Sequence, residues 1–166
     1  MVGALLDRME RWLVANRPEY FEILQPGAKD DSIDRFEARF AVKLPTAFRQ
    51  FYRWRNGQDP GSFDPLQGNR LFSSLEDIAD TKDMLDGMIG SDFEDPRYWR
   101  RGWIPFLHNG GGSHLCLDLA AEDGGRLGQL IGFWKGDQDR PVEFLTTEAW
   151  LDDLVSSMEN GTLELL

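Results

Sequence analysis

Both histidines of the chain and its single cysteine lie in one stretch, HNGGGSHLCLDL, from His108 to Leu119. Three kinds of chemistry could use these residue types. His108, His114 and Cys116 are all metal-ligand types, and His114 and Cys116, two apart on a strand, would share a face. A structural zinc site takes four such ligands and a catalytic one takes three plus an open position, yet neither CxxC nor HExxH occurs here. The run GGGS offers backbone N–H groups to a phosphate, but a phosphate-cradling loop needs GxxxxGK[ST] opening a helix. No lysine falls between Lys82 and Lys135, and GxGxxG is absent. Nucleophilic catalysis would join Ser113 or Cys116 to a histidine base and a carboxylate such as Asp118. Neighbours on a strand point to opposite faces, so Ser113 and His114 diverge, and Cys116 between two leucines reads as a small buried side chain. The structural reading is simpler: the glycines let the chain reverse between two strands. No catalytic residue, metal or cofactor is assigned, with an enzyme or metal protein built on His108, His114 and Cys116 as the alternative.

The elements around this stretch suit one domain. A chain of 166 residues can bury a proper core but is short for two. No apolar run approaches the roughly 18–20 residues of a membrane helix, and the charged N-terminus lacks the apolar core of a secretory signal. One cysteine excludes an internal disulfide framework and fits a reducing compartment, so the expected location is the cytoplasm.

Val2, Leu5, Leu6, Met9, Trp12 and Leu13 follow helical spacing and predict an amphipathic helix ending near Asn16, ahead of Pro18. YFEILQPGAKDD carries a Pro-Gly turn signal. A second helix is expected from Ser32 as N-cap, burying Ile33, Phe36 and Phe40. A third begins at Pro45 with Phe48, Phe51 and Tyr52 inside, and stops at left-handed Asn56-Gly57. After an irregular stretch, Ser73 and Glu76 have capping-box spacing and open a helix through Leu75, Ile78 and Leu85. WIPFL, HLCLDL, a strand from Leu127 to Trp134 entered through Asp123-Gly124-Gly125, and VEFL then change the period to that of strands. A helix capped at Thr146 or Thr147 closes the chain, burying Trp150, Leu151, Leu154, Val155 and Met158, and Gly161 stops it. Helices, then mainly antiparallel strands, then a helix describe an α+β domain.

Charge is segregated along the chain. The net value is −11; residues 1–55 hold ten Lys/Arg against eight Asp/Glu, and residues 56–166 hold eight against twenty-one. With no basic stripe, nucleic acid is a poor partner and a basic protein a better one, although acidity also serves solubility. From Glu76 to Asp95 there are eight carboxylates (Glu76, Asp77, Asp80, Asp83, Asp86, Asp92, Glu94 and Asp95) and one lysine. This segment is expected to be helix followed by an exposed, mobile loop. Trp99 and Trp103 bracket two arginines, and an exposed tryptophan there would be an interface anchor.

Four blocks in order resemble the SUKH superfamily, which includes the Smi/Knr-type cell-wall assembly and glucan-synthesis regulators of fungi and many bacterial homologues. LPTAFRQFYRWRNGQ resembles its "LP…(F/Y)…NG" segment, WIPFLHNGGGSHLCLDL its "W-(I/L)-P…LCLDL" block, GGRLGQLIGFW a strand, and FLTTEAWLDDL the closing helix. The resemblance divides the chain into an N-terminal amphipathic helix and lead-in (1–27), a SUKH-like domain (28–160) and a C-terminal tail (161–166). It implies helices packed on a sheet of about five or six strands. Leu44, Pro45, Asn56, Gly57, Trp103, Pro105, Gly111, Leu117, Asp118 and Gly128 match recurring positions, each with a fold-level explanation. Bacterial members are similar to immunity proteins that bind and neutralise a toxin, so the resemblance implies a non-enzymatic protein-binding role. Toxic nucleases tend to be basic because they grip phosphates, and an acidic inhibitor steers onto them. On this reading the binding residues are the eight carboxylates and Trp99. A Smi/Knr-type regulatory adaptor is the other role the resemblance allows.

Overall fold

Between His108 and Leu119 the chain forms a hairpin. In the computed structural model, which describes residues 1–121 and 124–166, β1 (Leu71–Phe72), β2 (Trp103–His108), β3 (His114–Asp118), β4 (Leu130–Phe133) and β5 (Val142–Phe144) form one antiparallel sheet in chain order. His108 faces His114 and Trp103 faces Asp118 across the hairpin. Gly110 and Gly112 supply the positive φ of the turn, 77° and 97°, whereas Gly111 does not. Asn109 Oδ1 accepts from the N–H groups of Gly111 and Ser113. The β2–β3 register shifts between Pro105 and Leu107, an irregularity that suits a residue lacking an N–H.

Six helices surround this sheet among the described residues: α1 (Val2–Asn16), α2 (Pro18–Ile23), α3 (Asp30–Phe40), α4 (Thr46–Trp54), α5 (Leu75–Gly87) and α6 (Thr147–Asn160). Both faces of the sheet are buried. Ile104, Phe106, Leu115, Leu117 and Leu130 join the main core with α1, α4 and α6. Trp103, Cys116, Ile131 and Phe133 face a smaller cluster that Leu85 and Trp99 complete. In the main core Phe51 stacks on Phe72 at 4.7 Å and meets Trp150 edge-on at 5.3 Å. Each such side chain contributes about 1.5–3 kcal/mol by burial alone. α1 packs on α6 and α4, so its apolar stripe is part of this core.

Several boundaries differ from the sequence expectation, each for a local reason. α2 forms where only a turn signal was read; Pro18 sits in its first turn, where a missing N–H costs nothing. The N-cap of α3 is Lys29, and Ser32 lies inside the helix accepting a hydrogen bond from Arg35. Pro45 is the N-cap of α4, and the helix ends at Trp54, before Asn56; only Gly57 is left-handed, with φ 76°. The cap of α5 is Ser74, one residue beyond Ser73, and its side chain accepts from Asp77 N–H at 3.1 Å. β4 starts at Leu130, and Leu127 is exposed; of the turn expected at Asp123-Gly124-Gly125, Asp123 lies outside the described residues. Thr146 caps α6 by accepting from Ala149 N–H at 3.0 Å, and Gly161 ends it at φ 79°.

Gly57 is constrained twice. Besides its φ, a Cβ there would lie 2.3 Å from the Ser74 backbone nitrogen. Gly57→Ala is therefore expected to cost about 2 kcal/mol or more in urea unfolding, through strain and displacement of the α5 cap.

Candidate functional site

The hairpin does not assemble a catalytic group. Ser113 Oγ accepts from Lys135 N–H at 3.0 Å, so the hydroxyl is engaged by the β4 side rather than by a histidine base. Cys116 is fully buried, and burial pushes its thiol well above the ordinary range, so no thiolate forms at neutral pH. Asp118 is spent inside the fold: Oδ1 accepts from Ala120 and Ala121 N–H, and Oδ2 from Gln129 Nε2 at 2.8 Å. The imidazoles of His108 and His114 stand 6.5 Å apart, and among the described residues no three His, Cys, Asp or Glu side chains gather at metal-binding distance.

What the two histidines do line is a cleft of about 290 Å³ between the turn end of the hairpin, α5 and the 58–62 loop. Asp77, Asp80 and Thr81 of α5 form its other wall. Burial lowers both imidazole pKa values, that of His114 to about 4, with the neighbouring His108 adding to the effect. His108 Nδ1 accepts from Gly110 N–H at 3.1 Å, while the buried His114 Nδ1 has no partner among the described residues.

The eight carboxylates sort into two groups. Asp86 Oδ1 accepts from Trp99 Nε1 at 2.8 Å, and its carboxylate lies 3.1 Å from Lys82 Nζ. Asp83 pairs with Arg39, Glu76 accepts from Asn56 Nδ2, and Asp95 accepts from Arg97, whose hydrogen bonds hold its carboxyl below the usual range. Asp77, Asp80, Asp92 and Glu94 have no side-chain hydrogen bond or ion pair among the described residues. Of these, Asp80, Asp92 and Glu94 are exposed.

Two members of the expected binding set belong to the interior. Trp99 is 1% exposed, packed edge-on against Trp103 and Phe133, and Trp103 is 3% exposed; neither is a surface anchor. Asp86 is held by Lys82 and Trp99. The segment after α5 is correspondingly tied down, with Met88, Ile89, Phe93 and Tyr98 against the smaller cluster and a bridge from Ile89 to Phe93. Lys82, the one lysine of the acidic segment, links the two ends of this stretch, a structural role that its charge alone does not announce. It is fully buried and donates to Asp86 and to the Arg101 carbonyl. Its spacing was the available signal: Lys82 falls four residues after Ile78 and three before Leu85, inside the apolar stripe.

Other matched positions also do structural work. Leu44 is buried and its N–H donates to Glu37. Asn56 Oδ1 accepts from Leu75 N–H at 2.8 Å, which satisfies a free donor at the start of α5. Gly128 has φ 91° where the chain enters β4. Gln58 is a further buried polar residue not anticipated, accepting from Tyr20 and Phe72.

The family model of the SMI1/KNR4 family (SUKH-1) matches residues 27–153. The chain belongs to that family. Among curated SMI1/KNR4-type relatives, "KNR4/SMI1 homolog 2" of Debaryomyces hansenii is 23% identical over 99% of this chain and 36% of its own length. The "Cell wall biosynthesis/cell cycle regulator smi1" of Schizosaccharomyces pombe is 27% identical over 93% of the chain and 35% of its length. The "Glucan synthesis regulatory protein" of Neurospora crassa is 23% identical over 96% and 38%. This SMI1/KNR4 chain thus spans little more than a third of the length of these relatives.

Proposed function

We propose that this SMI1/KNR4 chain is a non-enzymatic binding module that docks a basic partner protein through the acidic face of α5 and the segment after it. One observation carries the reading. The only lysine between Glu76 and Asp95 is buried, so the segment presents carboxylates without an exposed cation of its own; Arg39 and Arg97 reach in from outside it, to Asp83 and Asp95. Such a face attracts a basic protein and speeds its encounter. The specific role proposed is that of a cytoplasmic immunity protein that covers the substrate-gripping surface of a toxin, a basic nuclease fitting best. Among the described residues no helix is long and apolar enough to cross a membrane. A regulatory adaptor is the second reading, favoured by the cell-wall and glucan-synthesis regulators among the relatives.

Co-expression with a basic nuclease-type toxin domain, sought in the gene next to this one, tests the immunity role. Cells are expected to survive, and the purified pair to bind. Reversing Asp83, Asp92 and Glu94 to lysine should weaken that binding at least tenfold and flatten its salt dependence. No rescue and no binding would defeat the immunity role. Binding indifferent to the three reversals would defeat the acidic face.

A further inference from the structure

The cleft between α5 and the turn end of the hairpin lies on the surface just described, and we propose that it receives one arginine side chain of the basic partner. This inference rests on the docking reading and gives it an anchor point. The lining of the cleft, about 290 Å³, has no Lys or Arg among the described residues, yet Asp77 and Asp80 both stand in its wall. One turn apart on α5, they lie on the same side of the helix. Among the described residues neither carboxylate has a hydrogen bond or ion pair, although Asp83, three residues beyond Asp80, is taken by Arg39.

Two carboxylates at the mouth of a concave site are left for an external donor. The opposite wall holds the two imidazoles, and Thr81 lines the cleft with the carboxylates. The histidines are uncharged at neutral pH and do not repel a cation. A guanidinium matches this arrangement better than an ammonium. Its planar fork can donate to two carboxylates at once, and its face can stack on an imidazole ring. Anchors of this kind, an arginine seated in a pocket inside a charged rim, dominate many protein interfaces.

The test uses the intact protein and blocked arginine, N-acetyl-arginine amide, followed by NMR at pH 7.5. Saturable shifts are expected at the His108 and His114 rings and the Asp77, Asp80 and Thr81 amides. The neutral isostere N-acetyl-citrulline amide should leave them unmoved, and blocked lysine should bind several-fold more weakly. Asp77→Asn with Asp80→Asn should weaken arginine binding at least tenfold while the remaining spectrum stays native. If that variant does not fold, the arginine–citrulline contrast on the unaltered protein decides alone. Equal responses to arginine and citrulline, or non-saturating shifts spread over Asp83, Asp92 and Glu94, would overturn the cleft. The second pattern would leave the acidic docking face standing. Equal affinity for lysine would overturn the guanidinium assignment.

Discussion

Lys82→Ala is expected to destabilise the protein by about 3–5 kcal/mol, the usual loss when one member of a buried charge pair is removed. Lys82 is fully buried, and its ammonium lies 3.1 Å from the carboxylate of Asp86, whose own side chain is only 13% exposed. Truncation leaves that carboxylate with the Trp99 indole as its one remaining partner, and it orphans the Arg101 carbonyl. The vacated stem adds a cavity beside Phe40 and Trp99, whose rings the ammonium faces at 5.3 and 6.0 Å. Urea unfolding measures the total. Lys82→Met combined with Asp86→Asn separates the contributions: the stem volume returns, no charge is buried, and the amide oxygen still accepts from Trp99. That double variant should recover most of the loss, because the cost comes from the unpaired carboxylate more than from the missing attraction. Hydrogen exchange in residues 88–102 should rise in the alanine variant before it rises in β3. A loss below about 1 kcal/mol would mean that the ammonium contributes nothing beyond a surface pair.

The same network marks where the sequence could be read and where it could not. The period-two alternation around Cys116 and the i, i+3, i+4 stripes of α1, α4 and α6 are properties of a few neighbouring residues, and they position the hairpin and its supporting helices. β1 escaped because two residues, Leu71 and Phe72, carry no period. The exposure of Trp99 is not a local property either. Flanking tyrosine and arginines suggest a surface, yet Trp99 is buried because Leu85, Trp103 and Phe133, distant in sequence, meet there. For the carboxylates, charge was legible but availability was not. Asp83 is taken by an arginine 44 residues away and Asp86 by a lysine one turn away, whereas Asp77 and Asp80 pair with no cation among the described residues. The cleft itself depends on α5 lying beside the turn end of the hairpin, a placement that no spacing within either segment encodes. His108 and His114 drew attention as possible ligands; their place in the wall of the cleft required the fold.

Acid should destabilise this protein well before its ordinary carboxylates titrate, and His114 is expected to account for much of the effect. An exposed histidine in the unfolded chain takes a proton near pH 6.5, whereas burial holds the folded His114 to about 4. Between those values the unfolded state binds the extra proton, so stability is fully present above about pH 6.5 and falls as pH drops toward 4. At about 1.4 kcal/mol per pH unit, the interval corresponds to a loss of about 3 kcal/mol. His108, also lowered by burial, acts in the same direction, with Asp77 opposing it. The His114 ring lies 6.0 Å from Phe133 and its buried Nδ1 has no partner among the described residues, so a phenylalanine can fill the space without orphaning a hydrogen-bond partner of that atom. His114→Phe should therefore match the parent protein or exceed it at pH 7.5. Relative to the parent it should gain about 3 kcal/mol by pH 4, read from urea midpoints taken at half-unit pH steps. Parallel pH profiles for the two proteins would show that the imidazole is hydrated and accepts its proton in the folded state as readily as in the unfolded one.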